Sequence, residues 1–202
     1  MNDIIIIDDV INTTYQDKIE EFLLAFDHAW FFQSDITLND RYLKQLEREN
    51  PNVTIKKRPG FGSLMYDNEI DKKGHEYHFL APIMYSACTQ AQIPFNELNL
   101  IRGFLSPPVD KNKLDRIDKP HVDITTPHLI GLYYVNDSDG DTIIYQETYN
   151  PMFNADILPE SLTVVRKITP KKGRIVIFNG SHYHSSSQPI TNHRCVINFH
   201  FL

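Results

Sequence analysis

Short hydrophobic segments bounded by turn residues are the main pattern along this chain of 202 residues. In the second half they are rich in β-branched and aromatic residues, and turn signals such as Asp139-Gly140 and Asn179-Gly180 separate them. This pattern is typical of a β-sandwich or barrel rather than of βαβ units. The predicted strands are Leu98–Leu105, His121–Ile124, His128–Val135, Thr142–Gln146, Leu162–Ile168, Arg174–Phe178, Tyr183–Ser187 and Arg194–Phe201.

The first 97 residues have a more helical pattern, in which apolar residues recur three or four positions apart. The predicted elements are a strand at Ile4–Ile7, a helix capped near Asn12, a helix in the 40s that ends before Pro51, a strand near Ser63–Tyr66 and a helix from Phe79 to about Gln92. We expect one domain over residues 1–202, in which residues 1–97 buttress a mainly β core at residues 98–202.

The charge distribution bears on the class of ligand. The formal net charge of −6 argues against a general nucleic-acid binder, which is normally basic. Residues 1–101 carry a net charge of −7 and residues 102–202 one of +1, so an anionic small molecule should bind in the second half.

Cysteine content and hydropathy bear on the compartment. Two cysteines, Cys88 and Cys195, exclude a disulfide scaffold and a cysteine-rich zinc site. The sequence has no apolar run of the roughly 18 residues that cross a bilayer, and Met1-Asn2-Asp3 lacks the basic start of a secretory signal. We therefore expect a cytoplasmic protein without a membrane partner.

A candidate metal-binding pair lies at His121-Val122-Asp123. In a strand, residues i and i+2 project from the same face, so His121 and Asp123 would offer one nitrogen and one oxygen ligand side by side. A chain with nine histidines contains about one such spacing by chance, so the pair alone proves nothing. One further imidazole would complete the two-histidine, one-carboxylate set of non-haem Fe(II) oxygenases.

Several histidines of the β half could supply that imidazole, and strand parity does not separate two of them, His182 and His184. The full set of candidates is His128, His182, His184, His193 and His200. The last strand offers a further clue, because alternation places Arg194, Asn198 and His200 on the face opposite an apolar one. A single arginine that points into a barrel needs an anion to pair with.

These residues together resemble the Fe(II)- and 2-oxoglutarate-dependent dioxygenases, in particular the prolyl 4-hydroxylase-like branch. That family has His-x-Asp, a distant His and a basic residue about ten positions later; here the separations are 61 residues from Asp123 to His184 and 10 from His184 to Arg194. The further segments that resemble family strands and turns are Leu132-Tyr133-Tyr134-Val135-Asn136, Gly140-Asp141-Thr142 and Gly173-Arg174-Ile175-Val176-Ile177-Phe178.

The resemblance implies a double-stranded β-helix, or jelly-roll, core with flanking helices. It also implies that His121, Asp123 and His184 bind Fe(II), with His184 preferred over His182 because a small polar stretch follows it. Arg194 would pair with the distal carboxylate of 2-oxoglutarate, and Tyr134 occupies a position that often hydrogen-bonds the same group. The cosubstrates would be 2-oxoglutarate and O₂, with ascorbate as a candidate reductant, and the co-products succinate and CO₂.

The expected reaction is hydroxylation of a C–H bond in a peptidyl substrate, with proline as one candidate, or in a small molecule. Ser106–Pro120 and Tyr149–Ser161 are the expected substrate-covering loops. Three alternatives stay open: a non-catalytic jelly-roll or cupin-like binding module, a Zn²⁺ or Mn²⁺ enzyme on the same fold, and a nucleic-acid-acting oxygenase, which normally has a second arginine after the first. The sequence leaves the substrate and the oligomeric state open.

Overall fold

A computed structural model describes residues 4–37, 48, 57–70, 72–112, 116–150 and 158–202, without the side chains of residues 72 and 73. Its elements, in chain order, are β1 (Ile5–Ile7), α1 (Thr13–Leu23), β2 (Phe31–Gln33), β3 (Gly60–Asp67), β4 (Lys72–Lys73), α2 (His75–Ala91), β5 (Leu98–Ser106), β6 (Leu129–Tyr134), β7 (Thr142–Thr148), β8 (Val164–Ile168), β9 (Ile175–Asn179), β10 (His182–Ser186) and β11 (Arg194–Phe201). The helix predicted in the 40s lies outside the described residues.

Two antiparallel sheets form the architecture. The large sheet has the strand order β1-β9-β6-β11-β5-β3-β2, with β4 paired to β3, and the small sheet has the order β10-β7-β8. Neighbours in each sheet come from distant parts of the chain, as in a jelly roll. The expectation of a mainly β, double-stranded β-helix core is confirmed.

The two faces of the large sheet have different surroundings, and β11 at its centre shows why. Cys195, Ile197, Phe199 and Phe201 belong to the main hydrophobic cluster, together with the buried faces of α1 and α2. Arg194, Val196 and Asn198 line a cavity on the opposite face. The parity predicted for this strand is therefore confirmed, and the helices support the sheet from the side away from the cavity.

The N-terminal helices begin and end at identifiable residues. The side chain of Asn12 accepts a hydrogen bond from the backbone N–H of Tyr15 at 3.0 Å, which is the predicted cap of α1. α2 begins at His75, four residues before the predicted start, and ends at Ala91, after which the cap residue Gln92 has the left-handed conformation. No helix in the described part of the chain is long and apolar enough to span a bilayer.

One predicted strand does not form, and short edge strands were not predicted. Residues 121–124 do not form a strand; His121 makes a single antiparallel bridge to His184, and Asp123 lies in a bend. The short edge strand β2 was not predicted, because Phe31–Gln33 is too short to show an alternating pattern.

Candidate metal centre

Two histidines are held side by side by their own backbones. The N–H of His121 donates to the carbonyl of His184 at 3.0 Å, and the N–H of His184 donates to the carbonyl of His121 at 3.0 Å. Residues that exchange both bonds are directly opposite each other and project from the same face. Their ring centroids are accordingly 4.7 Å apart, although the residues are 63 positions apart in the chain.

In each of these two histidines, the ring nitrogen Nδ1 is hydrogen-bonded to a backbone carbonyl. His121 Nδ1 lies 3.1 Å from the carbonyl of Lys119, and His184 Nδ1 lies 3.1 Å from the carbonyl of His182. A carbonyl only accepts, so Nδ1 carries the proton in both rings and donates it. In the neutral ring each Nε2 therefore keeps its lone pair for a ligand, as in many metal sites.

Asp123 completes the group from a bend next to His121. Its Oδ1 is 3.5 Å from His121 Nε2 and 3.6 Å from His184 Nε2. Its Oδ2 accepts hydrogen bonds from Asn198 Nδ2 at 2.8 Å and His200 Nε2 at 3.0 Å. The strand β11 thus fixes the carboxylate and leaves one oxygen facing the two imidazoles.

The electrostatics favour an ionised carboxylate at this position. Burial by itself raises the pKa of Asp123, but the charge of His184 and the hydrogen bonds of His121, His184 and His200 more than offset it and hold that pKa well below its ordinary value. Burial works in the opposite direction on His121, whose pKa is nevertheless raised by the neighbouring Asp123. A negative oxygen between two imidazoles is the arrangement that a divalent cation stabilises.

The three free atoms fit a first-row transition metal. They lie within 4.8 Å of one another. Two imidazoles and one carboxylate on one side of an ion leave adjacent coordination positions open, which is the ligand set of non-haem Fe(II) oxygenases. All three residues line a cavity of about 780 Å³.

Arg194 lines the same cavity and is 5% exposed. Its Nε donates to the carbonyl of Gly140 at 2.8 Å, and one terminal nitrogen donates to Thr142 Oγ1 at 2.9 Å. A Cβ at Gly140 would lie 2.9 Å from Arg194 Cδ, so glycine is needed for this close approach. No carboxylate of the described residues lies within 4 Å of this guanidinium, and burial lowers its pKa.

Tyr134 is placed behind Arg194 rather than in the cavity wall. Its ring centroid is 6.0 Å from the centre of the guanidinium, and its hydroxyl donates to Thr142 Oγ1 at 2.8 Å. The Thr142 oxygen accepts from both neighbours, so its own O–H is available to a ligand. Thr142 lines the cavity, whereas Tyr134 is fully buried.

Two other candidate histidines, His182 and His128, lie outside this group. His182 precedes a register shift in β10, and its Nδ1 lies 2.8 Å from the carbonyl of Tyr145. His128 is buried against His200, with a ring-centroid distance of 4.8 Å. The structure therefore brings together His121, Asp123 and His184, with neither His182 nor His128 in the group.

Some functional contacts were missed or left without a role by the sequence reasoning. Asn198 was noted for sharing a face with Arg194, and His200 also as a candidate for the third imidazole; in the structure both are hydrogen-bonded to Asp123. A buried ion pair between Arg58 and Asp118 was not predicted at all. The backbone N–H of Asp118 donates to the carbonyl of Ser186, so the pair anchors the segment that leads to His121. Nothing in the local sequence of these residues marks such distant contacts.

Comparison with known proteins gives the fold but no close relative. No family model and no curated protein matches the sequence. The epimerase SnoN of nogalamycin biosynthesis, described as non-haem and α-ketoglutarate-dependent, superposes with a TM-score of 0.66 at 12% identity, over 100% of this chain and 78% of SnoN. The chain has the fold of the 2-oxoglutarate-dependent oxygenases.

Two other structures share this oxygenase fold. A prolyl hydroxylase from Trichoplax adhaerens, bound to a peptide of the hypoxia inducible factor oxygen degradation domain, has a TM-score of 0.59 at 14% identity and covers 100% of this chain and 84% of its own. AviO1 from Streptomyces viridochromogenes Tue57 has a TM-score of 0.57 at 13% identity, over 99% and 89%. At the level of the fold, the resemblance noted in the sequence is confirmed.

Proposed function

We propose that this protein is an Fe(II)- and 2-oxoglutarate-dependent dioxygenase that hydroxylates a C–H bond of a peptidyl or small-molecule substrate. One observation carries the proposal: the free Nε2 atoms of His121 and His184 converge on the free Oδ1 of Asp123 at 3.5 and 3.6 Å, beside a cavity. The fold supports it, since SnoN has been described in complex with Fe³⁺ and α-ketoglutarate.

His121, Asp123 and His184 would hold the metal. Bound there, Fe(II) supplies the redox chemistry that converts 2-oxoglutarate and O₂ to succinate and CO₂ while a hydroxyl is added to the substrate. The protein's own contribution is positional, because the carbonyls of residues 119 and 182 hold the imidazoles with Nε2 directed into the site. Asn198 and His200 hold the carboxylate.

Arg194 and Thr142 would bind the distal carboxylate of 2-oxoglutarate. The guanidinium is buried and lacks a carboxylate partner among the described residues, and the Thr142 hydroxyl has one donor to offer. Charge-assisted hydrogen bonds in such a site are about twice as strong as neutral ones. Tyr134 would act by holding Thr142 and packing on Arg194, a positioning role.

The decisive experiment is 2-oxoglutarate turnover with a matched pair of histidine variants. Wild-type protein should form succinate only when Fe(II) is added, with ascorbate present as reductant. His184→Ala should abolish succinate formation because a ligand is lost, whereas His182→Ala, two positions away on the same strand, should retain it. Full turnover by His184→Ala, or none by wild-type protein with Fe(II), would contradict the proposal.

The product must be identified separately, because related folds carry out different reactions. SnoN is described as an epimerase, whereas the Trichoplax adhaerens protein is a prolyl hydroxylase bound to a peptide. Mass spectrometry of the product decides between them, since hydroxylation adds one oxygen atom and epimerisation leaves the mass unchanged.

A further inference from the structure

A second arginine faces the cavity, away from the place proposed for the cosubstrate. Arg102 lies on β5 directly opposite Asn198 of β11 and Leu64 of β3. It lines the cavity with both neighbours. Asn198 donates a hydrogen bond to Asp123, a proposed metal ligand. Arg102 is therefore the direct cross-strand neighbour of the residue that orients this ligand.

The Arg102 guanidinium has an aromatic neighbour but no anion. It lies 6.0 Å from the ring centroid of Phe104, and no described residue offers it a carboxylate within 4 Å or a hydrogen-bond acceptor. The side chain is partly buried. Withdrawing a cation from water without a counter-charge is unfavourable. Binding of an anion beside Arg102 therefore lowers the free energy of the site.

The two arginines have different surroundings in the cavity: Arg194 is hydrogen-bonded to Thr142, whereas Arg102 lies beside the ring of Phe104. The residue opposite Arg102 is Asn198, four positions along β11 from Arg194. At about 3.3 Å per residue their backbones are roughly 13 Å apart along the strand. One cation is therefore left for a second ligand after 2-oxoglutarate is bound by the other.

The surroundings of Arg102 describe that ligand further. Phe104 and Leu64 make the cavity wall beside Arg102 apolar. The amide of Gln33 adds a polar group nearby: it lies over Gly62, where a Cβ would come within 2.6 Å of Gln33 Nε2. The cavity volume of about 780 Å³ lies within the usual range for small-molecule sites and has to hold two ligands.

The charges in the cavity agree with an anionic substrate. Among the described residues, three cationic side chains line the cavity, Arg102, Lys119 and Arg194, together with two carboxylates, Asp35 and Asp123. Because Fe(II) and the dianion of 2-oxoglutarate would cancel, one positive charge is left over. A substrate with a single negative charge neutralises it.

We propose that the substrate is a small carboxylic acid with an apolar body, whose carboxylate is bound by Arg102. This inference rests on the proposed function, since it names the substrate class of that same site. Arg102 would form a charge-assisted pair with the carboxylate, and the apolar body would lie against Phe104 and Leu64, which directs a C–H bond toward the metal side of the cavity.

The test compares acids with their own amides. Binding of N-acetyl-leucine, N-acetyl-phenylalanine, phenylacetate and 4-methylpentanoate, each beside its amide, is measured by ligand-observed NMR on protein loaded with Zn²⁺ and 2-oxoglutarate. Wild-type protein should bind at least one acid about tenfold more tightly than its amide. Arg102→Gln should abolish that preference, Arg102→Lys should keep part of it, and Arg166→Gln, an exposed arginine on β8, should leave it unchanged.

Each contrary outcome overturns the inference. For wild-type protein, these outcomes are no binding of any acid, or equal binding of acids and amides. For Arg102→Gln, they are a preference for acids that survives the substitution, or weaker binding of 2-oxoglutarate. The last result would assign Arg102 to the cosubstrate. The comparison on wild-type protein needs no variant to fold. A separate titration of wild-type protein with 2-oxoglutarate alone tests the proposed function: if that binding is present and the acid preference is absent, only the substrate class is wrong.

Discussion

At the scale of single residues, each side chain of the candidate metal centre uses its two polar atoms differently. Each ligand residue has one atom fixed by the protein and another left free. In Asp123 the fixed atom is Oδ2, bonded to Asn198 and His200, and the free atom is Oδ1. Such preorganisation lowers the cost of metal binding, because the side chains do not have to be ordered when the ion arrives.

Removing Asn198 should therefore weaken the metal site without removing a ligand. We expect Asn198→Ala to reduce metal affinity by about 10- to 100-fold, because Asp123 loses the 2.8 Å bond that orients it. Competition titration with Zn²⁺ and a chromophoric chelator measures the change. Asn96→Ala, at an exposed asparagine, is the matched control, and equal affinity in both variants would show that Asn198 does not orient the carboxylate.

Arg194 should act on cosubstrate affinity. We expect Arg194→Met to raise the dissociation constant of 2-oxoglutarate by about 10- to 100-fold, because two charge-assisted bonds to a carboxylate are lost in a buried site. Calorimetric titration of Zn²⁺-loaded protein measures it. Arg166→Met, which removes an exposed arginine from β8, should change nothing, and an unaltered constant in Arg194→Met would remove that residue from the cosubstrate site.

At the scale of secondary structure, ion pairs as well as backbone hydrogen bonds hold the edge strand β1 on the large sheet. β1 pairs with β9, and Asp8 just after β1 contacts Arg174 just before β9 at 2.6 Å and Lys171 at 3.0 Å. The hydrogen bond from Arg174, followed by that from Lys171, lowers the pKa of Asp8 from 3.8 to about 2. The ion pairs are exposed, so salt screens them.

This shift gives a pH-dependent prediction. A carboxyl with a lowered folded-state pKa contributes stability above its unfolded value of 3.8 and loses it as the pH falls through about 2. Asp8→Asn should thus lower the free energy of unfolding by no more than about 1 kcal/mol at pH 7. The difference from wild-type protein should shrink below pH 4 and vanish only below about pH 2. Urea unfolding across this range measures it, with the exposed Asp27→Asn as control; a difference that does not vary with pH would refute the ion-pair account.

At the scale of the whole molecule, the proposed metal would link the two sheets. His184 lies on β10 of the small sheet, whereas Asp123 is bonded to β11 of the large sheet. The ring of His184 also packs against Phe178 of β9 at a centroid distance of 5.4 Å. An ion bound to both sides stabilises the folded state, because the unfolded chain cannot bring its ligands together.

Metal binding should consequently raise the thermal unfolding midpoint. At a free Zn²⁺ concentration of about 100 times its dissociation constant, we expect an increase of about 5 to 10 °C for wild-type protein. His182→Ala should show the same increase and His184→Ala none, as followed by scanning calorimetry with and without EDTA. An equal increase in His184→Ala would place the ion elsewhere.

Much of the fold could be predicted because the periodicity of this sequence is local information. β11 alternates between core and cavity residues, and that alternation was readable directly from Arg194 to Phe201. The bend at Asp123 could not be predicted, because the residues around it have the sequence pattern of a strand. The pairing of Arg58 with Asp118, 60 positions apart, leaves no local signal either.

The sequence by itself determined the types of candidate metal ligand, their order along the chain and the face of β11 from which Arg194 projects, because these follow from residue identity and backbone period. Only the tertiary structure decided between His182 and His184 as the imidazole beside His121 and gave Asn198 and His200 their contact with Asp123. It also placed Arg102 in the same cavity. These facts depend on strand register between distant segments, which backbone hydrogen bonds set once the chain has folded.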